Sequence, residues 1–444
     1  MKIIIIGGIA AGMSAAAKAR RVNKEAEIIV YEMGDIISFG ACGLPYYVGD
    51  FFSNPNYMIA RKVDRMIEEG IDVKVSHQVL SISAQNKSVE VRNLQSGKTF
   101  KENYDKLMVA SGASVIKPPF KNIELNNIFT LTKMDDGEQL KAIAMMEEVK
   151  DVTIIGAGFI GIEVVEAMKK LGKHVRLIQR GNRVFNRIFD ERITDLMQEE
   201  LLEHGVELIL NEGVVGFEGE DTVKEVKTDK NSYQTDLVVI ATGFNPNTSF
   251  LEGSGIKTLK NGAIVVNSKG ETNIKDIYSA GDCATVPHIV KKEDVYIPLA
   301  TGANKLGRVV GENMAGGEAV YPGSLGSACV KVMDYEAAIT GISEEDAIAM
   351  GIEYKAVFIK DKNQTGYYPN QKNIYIKLVY EASTKIILGG QILGKNGAAL
   401  RIDVIAVAIK AKMTTEDLGM MDFCYAPPIS KTWDALNVVG NAAK

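Results

Sequence analysis

The stretch Lys2-Ile3-Ile4-Ile5-Ile6-Gly7-Gly8-Ile9-Ala10-Ala11-Gly12 opens the chain and decides its fold class. An alanine-rich segment follows it, and then a second apolar run, Ile28-Ile29-Val30-Tyr31-Glu32. The order of strand, glycine turn, helix, strand and acid predicts a βαβ unit of an α/β fold. Such a unit holds a pyrophosphate at the helix N-terminus and a ribose on the final carboxylate. Gly7, Gly12 and Glu32 fit this fingerprint, whereas Ile9 replaces its middle glycine, so a βαβ unit without a nucleotide stays an alternative.

A second unit of the same kind begins at Val152-Thr153-Ile154-Ile155-Gly156-Ala157-Gly158-Phe159-Ile160-Gly161-Ile162-Glu163. Here all three glycines of the fingerprint are present. Two units in one chain predict two nucleotides bound at once, and a flavin with a nicotinamide is the pairing that hydride transfer uses. We therefore expect Gly156, Gly158, Gly161 and Glu163 to bind the nicotinamide nucleotide.

The end of the second strand in this unit bears on the choice of nicotinamide. A carboxylate there would bind the free 2'-hydroxyl of NADH, but the residue is Gln179. Arg180 and Arg183 follow closely, and guanidinium groups bind phosphate well. This pattern favours NADPH and places Gln179 and Arg180 in the cofactor site. NADH stays an alternative donor, and the arginines could equally belong to a solvated loop.

Two later segments complete the predicted architecture. Gly281 and Asp282 follow an apolar strand, and in this order of motifs they are predicted to bind a flavin, with Asp282 on a ribityl hydroxyl. Ala300 is placed in the same flavin-binding set. By itself a Gly-Asp pair is usually only a turn. From about Ser324 the pattern changes to strands followed by a helix near Arg401, which predicts an α+β domain with an antiparallel sheet.

Composition narrows the class of protein further. The chain has 444 residues, a formal net charge of -5 and four scattered cysteines. An acidic chain of this kind offers no general basic surface, so neither nucleic acid nor an anionic membrane is an expected partner. The spacing of the cysteines fits no metal site or disulfide framework, which favours a reducing compartment such as the cytoplasm. The apolar run at 3–6 is too short to span a membrane.

Cys42 is the candidate redox centre. It lies in Ser38-Phe39-Gly40-Ala41-Cys42-Gly43-Leu44-Pro45-Tyr46, ten residues after Glu32. Ile37 stands five residues earlier, where flavin disulfide reductases usually carry a second cysteine. One thiol cannot close an internal disulfide, so its oxidised form is a mixed disulfide, a sulfenic acid or a persulfide. A position at a helix N-terminus is expected to lower the thiol pKa. Cys283, Cys329 and Cys424 are expected to be buried as small hydrophobes.

The ordered motifs from Gly7 to the C-terminal tail resemble the pyridine nucleotide-disulfide oxidoreductases. Because it has a single cysteine at this place, the chain resembles the branch of the family that contains coenzyme A disulfide reductases, NADH oxidases and NADH peroxidases. The resemblance implies two Rossmann-like nucleotide-binding domains, for FAD and NAD(P)H, and a C-terminal α+β dimerisation domain in a homodimer. The resemblance implies a discontinuous FAD-binding domain of residues 1–115 and 245–323. It also implies an NAD(P)H-binding domain of residues 116–244 and a dimerisation domain of residues 324–444.

Within that branch the chain resembles coenzyme A disulfide reductases most. Ala10 stands where oxidases and peroxidases carry a histidine, and Tyr367 and Tyr425 lie in motifs like those that bring tyrosines to the partner subunit's thiol. The resemblance thus implies Cys42, Tyr367 and Tyr425 as catalytic residues, although the tyrosines could be interface packing.

Four positions match coenzyme A contacts of those reductases: Ser14, Lys18, Arg21 and Ser38. The first three share one helix face, which would otherwise be read as solvated. The implied reaction is reduction of coenzyme A disulfide through a mixed disulfide on Cys42. Reduction of coenzyme A persulfide, polysulfide or sulfur, an NADH oxidase or peroxidase activity, and a flavoprotein redox sensor remain alternatives.

Overall fold

The computed structural model describes residues 1–444, and its first sheet is built on the opening stretch of the sequence. This sheet is parallel, and its five strands lie in the order β18 (Ile277–Ser279), β7 (Lys106–Val109), β1 (Lys2–Ile6), β2 (Glu27–Tyr31), β3 (Asp72–Lys74). The central strands are apolar throughout because both of their faces are covered, and Ile3, Ile4 and Ile5 are fully buried. A three-stranded antiparallel sheet lies beside it: β4 (His77–Ser83), β5 (Ser88–Asn93), β6 (Thr99–Asn103).

Two helices cross over this first sheet with their backbones in contact. They are α1 (Ala10–Val22) and α7 (Ala300–Met314). A Cβ atom on Gly307 or on Gly311 would overlap with backbone atoms of α1, so only glycine permits this approach. The shorter helices α2 (Leu44–Val48) and α3 (Val63–Glu68) complete this part of the chain. The crossing brings residues about 290 positions apart next to each other, as the Ser14–Asn304 hydrogen bond shows.

The second glycine turn lies in a second parallel sheet. Its strands are ordered β12 (Val206–Leu210), β11 (His174–Gln179), β10 (Asp151–Ile155), β16 (Leu237–Ile240), β9 (Ile128–Phe129). Its helices are α4 (Met134–Ala144), α5 (Phe159–Lys170) and α6 (Glu191–Glu203), with an antiparallel sheet of β13 (Val214–Gly219), β14 (Val223–Thr228) and β15 (Ser232–Gln234). The chain enters and leaves this region through one antiparallel pair, β8 (Ala113–Val115) and β17 (Phe244–Pro246).

The C-terminal region is an antiparallel sheet with helices on one face. The strands of this sheet lie in the order β21 (Ala328–Val332), β22 (Tyr335–Gly341), β25 (Ile387–Gly394), β24 (Asn373–Glu381), β23 (Tyr354–Lys362). A separate short hairpin, β19 (Val286–Pro287) and β20 (Asp294–Val295), precedes it in the chain. The helices are α8 (Glu344–Ala349), α9 (Ile402–Lys410), α10 (Thr415–Gly419) and α11 (Ala435–Ala442).

Each face of the C-terminal sheet has a different partner. One face packs on α9 and α11, and Tyr375 and Leu393 on the other face join the core of the second parallel sheet. The predicted α/β class with a C-terminal α+β domain is confirmed, and the domain limits given above remain predictions. No helix of the chain has the length and apolar character needed to cross a membrane.

Candidate active site

The first glycine turn has the geometry that nucleotide binding needs. Gly7 has a φ of +103°, and a Cβ atom there would overlap with the Ala110 carbonyl. Gly12 is equally restricted, because its Cβ would overlap with the Gly7 carbonyl oxygen. The Glu32 carboxylate accepts hydrogen bonds from Gly8 N at 2.6 Å and from Gly34 N at 2.8 Å. Each carboxylate oxygen can accept a second bond, so a ribose hydroxyl fits here.

Asp282 meets the first sheet from a distant part of the chain. Gly281 has a φ of +90° and turns the chain after β18, so that Asp282 follows directly. Burial raises the pKa of the Asp282 carboxyl, and only its backbone carbonyl receives a hydrogen bond, from Tyr296. A partly buried carboxylate without a protein donor is incompletely satisfied, and a ligand hydroxyl can donate to it. Together with the glycine cradle, this site fits the ribityl and pyrophosphate parts of FAD, and Ala300 begins α7 at the same crossing of helices.

Cys42 lies in a single turn of 3-10 helix, Ala41–Gly43, just before α2. Ser38 holds the start of this segment: its φ is +51°, and its backbone N donates to the Gly8 carbonyl at 2.9 Å. Ile37, at the position of the missing second cysteine, is only 1 % exposed and packs against the first glycine turn. The segment is therefore anchored to the first nucleotide unit through an apolar side chain rather than a sulfur.

The expectation of a lowered thiol pKa is wrong for this chain. Cys42 is exposed at the surface, but the protein on its other side removes water and raises the thiol pKa. The carboxylates of Glu163 and Asp282 raise it further, because a thiolate beside them would be repelled. The helix that follows has only five residues, so its dipole is small. Cys42 therefore feels one carboxylate from each of the two predicted nucleotide sites.

Glu163 connects the second glycine turn to the segment around Cys42, residues 38–46, which is called the redox segment below. Its Oε1 accepts a hydrogen bond from the Tyr46 hydroxyl at 3.3 Å. Burial raises the pKa of Glu163 to about 7, with Glu166 adding to the rise and the Tyr46 hydrogen bond opposing it. The sequence did not single out Tyr46, and its position four residues after Cys42 was the only signal available.

The second glycine turn repeats the first. Gly156 has a φ of +105° and Gly161 packs against its carbonyl, whereas the space around Gly158 is open. Gln179 ends β11, and its Oε1 accepts a hydrogen bond from Ala157 N at 3.2 Å, as Glu32 does from Gly8. Arg180 is exposed and free to meet a ligand. Arg183, predicted to stand near the same phosphate, is instead bound to Glu345 in the C-terminal region.

The predicted substrate face of α1 is only partly cationic. Lys18 forms an ion pair with Glu312 at 2.8 Å, and Ser14 donates a hydrogen bond to Asn304. Arg21 is exposed and lines a surface cavity of about 760 Å³ together with the cations Arg20, Lys24 and Arg61 and the anions Glu68 and Glu69. The cationic surface therefore extends toward α3 rather than along the predicted stripe.

Tyr367 and Tyr425 come together although 58 residues separate them. Their hydroxyl oxygens lie 3.0 Å apart, and the side chains are 75 % and 43 % exposed. Neither hydroxyl bonds to Cys42 of the same chain. Of the other cysteines, Cys283 is buried as expected, but Cys329 and Cys424 are exposed, so the expectation for these two is wrong.

These features define an NAD(P)H-dependent oxidoreductase with a flavin site and a nicotinamide site. Family models match two segments: the pyridine nucleotide-disulphide oxidoreductases over residues 1–307 and their dimerisation domain over residues 327–436. The chain belongs to the pyridine nucleotide-disulphide oxidoreductases, a family that binds FAD.

Similar proteins carry related names. An NAD(P)H coenzyme A polysulfide/persulfide reductase of Pyrococcus horikoshii is 37% identical over all of this chain and 98% of its own length. A coenzyme A disulfide reductase of Staphylococcus aureus is 32% identical over 100% of both chains. An NADH oxidase of Enterococcus faecalis is 34% identical over all of this chain and 99% of its own. The solved structure of reduced Bacillus anthracis CoADR-RHD superposes with a TM-score of 0.96 at 36% identity, over 100% of this chain and 80% of that one.

Proposed function

We propose that the protein reduces coenzyme A disulfide with NADPH, and that Cys42 forms a mixed disulfide with coenzyme A during the reaction. The observation that carries this proposal is the buried Ile37 at the position of the second cysteine. Because the redox segment offers one thiol, the second sulfur comes from the substrate. The Cys42 thiolate attacks the substrate disulfide, one coenzyme A leaves, and Cys42 stays bound to the other. Two electrons and a proton then release the second coenzyme A.

FAD, when bound, supplies two-electron transfer between the nicotinamide and sulfur. Gly7, Gly12 and Glu32 would hold its pyrophosphate and ribose, and Asp282 would accept from its ribityl chain. Glu163 acts electrostatically on the Cys42 thiol and, with a pKa of about 7, is protonated in part near neutral pH. When Glu163 carries its proton, one negative charge beside the Cys42 thiolate disappears, so the thiolate forms more easily.

The substrate proposal is supported by charge. The cavity lined by Arg20, Arg21, Lys24 and Arg61 also contains Glu68 and Glu69, and Glu69 pairs with Arg61 at 3.8 Å. Cations remain in excess in this lining, which suits a ligand with several phosphate groups. Ser14 and Ser38 complete the predicted set of coenzyme A contacts. In a homodimer the exposed hydroxyl pair of Tyr367 and Tyr425 would meet the second copy's redox thiol and orient the disulfide.

The preference for NADPH rests on the end of β11. Gln179 carries no charge to repel a 2'-phosphate, and its side chain is engaged with the glycine turn. Arg180 is exposed beside it, whereas Arg183 is neutralised by Glu345. A single guanidinium is therefore proposed to bind the 2'-phosphate.

The test is a Cys42→Ser variant. It should retain bound FAD, seen as the flavin absorption spectrum, and lose reduction of coenzyme A disulfide. Mass spectrometry of the wild-type protein should find coenzyme A attached to Cys42 after incubation with the disulfide. Substantial turnover by the variant would contradict the proposal.

Reduction of coenzyme A persulfide or polysulfide is a second candidate, favoured by the similarity to the Pyrococcus horikoshii reductase. It uses the same thiol, so comparing kcat/KM for the disulfide and for a coenzyme A persulfide decides between them. An oxidase is disfavoured by Ala10 in the first glycine turn. Rapid oxygen uptake with NADH or NADPH would revive that alternative.

A further inference from the structure

One face of α5 lies against the segment that follows the redox cysteine. Glu163 and Ala167 are four residues apart, so they share this face. The Tyr46 hydroxyl binds Glu163, and a Cβ atom on Gly49 would lie 2.8 Å from the Ala167 Cα. The two backbones are therefore in contact, and the helix that begins at the second glycine turn runs beside α2.

Lys170, three residues beyond Ala167, ends this face. Its Nζ donates to the Gly49 carbonyl at 2.9 Å and to the Asp50 carbonyl at 2.7 Å. It also lies 4.6 Å from the centre of the Phe51 ring. These two carbonyls directly follow the last turn of α2. Carbonyl groups at the C-terminal end of a helix have no backbone N–H partner within the helix, and a lysine ammonium group can donate to them instead.

Lys141 reaches the same point from α4. Its Nζ lies 2.7 Å from Asp50 Oδ1 and 4.4 Å from the centre of the Tyr47 ring, and its side chain is only 12% exposed. Nearby, a Cβ atom on Gly137 would lie 2.6 Å from Leu44 Cδ2. Two ammonium groups from the second nucleotide unit thus converge on the end of α2, whose start is adjacent to Cys42.

We propose that Lys141 and Lys170 are positioning residues for the redox cysteine. They hold the C-terminal end of α2 against the nicotinamide-binding region and so fix the position of Cys42 at the other end of this five-residue helix. The proposal rests on the redox role proposed above for Cys42. Without these contacts, α2 would open locally, and the side of the exposed thiol that the surrounding protein now covers would also become accessible.

The test is the Lys141→Met/Lys170→Met double variant, in which methionine keeps an unbranched apolar stem without the charge. The FAD-loaded, thiol-reduced protein is treated with iodoacetamide, and alkylation of each cysteine is followed by peptide mass spectrometry. Cys42 should react about fivefold faster than in the wild type. Cys283, fully buried in the core around the first sheet, is the internal reference and should stay unreactive in both proteins.

Lys169→Met is the matched control. Lys169 lies in the same last turn of α5, but its Nζ donates to the Gly205 carbonyl at 3.3 Å and does not touch α2. This variant should alkylate like the wild type. An unchanged or slower reaction of Cys42 in the double variant overturns the proposal, and so does alkylation of the buried Cys283, which would show general loosening. The readout needs no coenzyme A, so it is independent of whether the wild type reduces coenzyme A disulfide.

Discussion

Replacing Glu163 with glutamine should make the protein more stable at alkaline pH and leave it unchanged at acidic pH. The pKa of Glu163 rises from its ordinary 4.5 to about 7, chiefly through burial. At about 1.36 kcal/mol per pKa unit, this corresponds to about 3.4 kcal/mol. Between the two pKa values the folded protein binds more protons than the unfolded chain, so stability falls as pH rises from 4.5 and the loss is complete above 7. Glutamine cannot ionise and avoids this loss, while it can still accept the Tyr46 hydrogen bond.

Thermal unfolding of FAD-loaded wild type and Glu163→Gln from pH 5 to pH 8.5 measures this effect. An unfolding entropy of about 2.1 cal/mol/K per residue converts the free energy into a difference in Tm of about 3–4 °C at pH 8. At pH 5 the two midpoints should coincide. Glu138→Gln, an exposed position on α4, is the control and should follow the wild type at every pH. A difference in Tm that does not vary with pH, or a variant that is less stable at pH 8, would refute the assignment of a protonated Glu163.

Three further predictions concern the cofactor sites and the core. Asp282→Asn should weaken FAD binding about tenfold or more, because a charge-assisted hydrogen bond contributes about 1.5–3 kcal/mol; flavin fluorescence titration measures the Kd, and an unchanged Kd contradicts the ribityl role. Arg180→Ala should lower kcat/KM for NADPH about 10- to 100-fold and leave kcat/KM for NADH nearly unchanged. Arg183→Ala is the control and should not alter the preference between the two nucleotides. Equal losses of kcat/KM for both nucleotides in Arg180→Ala would exclude the 2'-phosphate contact. Gly311→Ala should destabilise the protein by about 1–3 kcal/mol in thermal unfolding, because its Cβ would overlap with the Ala15 carbonyl, while Lys305→Ala on the exposed side of α7 should have little effect.

The two glycine turns and the strands around them could be predicted from the sequence because their requirements are local. Gly7 and Gly156 need a positive φ, and an apolar run before each glycine indicates a strand buried on both faces. The sequence also showed Cys42 and the replacement of its usual partner cysteine by Ile37, since both positions lie within one short segment. Tyr367 and Tyr425 were singled out only through family resemblance, and their contact with each other was not predicted, because no local pattern relates two tyrosines that far apart.

The predictions that were wrong concern charged or ionisable groups whose partners lie far away in the sequence. Lys18 and Arg183 looked like free cations, but Glu312 and Glu345 neutralise them from distant parts of the chain. The Cys42 thiol was expected to be acidic from its place before a helix, yet two carboxylates and the surrounding protein oppose ionisation. Lys141 and Lys170 gave no signal at all, because their role depends on where α2 ends in space.

The sequence by itself therefore determined the class of fold and the order of the nucleotide units, and it singled out Cys42 as the candidate redox thiol, since steric limits on the backbone and the periodicity of burial act over a few neighbouring residues. Only the tertiary structure decided which charges are free, how acidic the thiol is and what holds its helix in place. Charge pairing and desolvation depend on groups that the fold brings together from segments hundreds of residues apart.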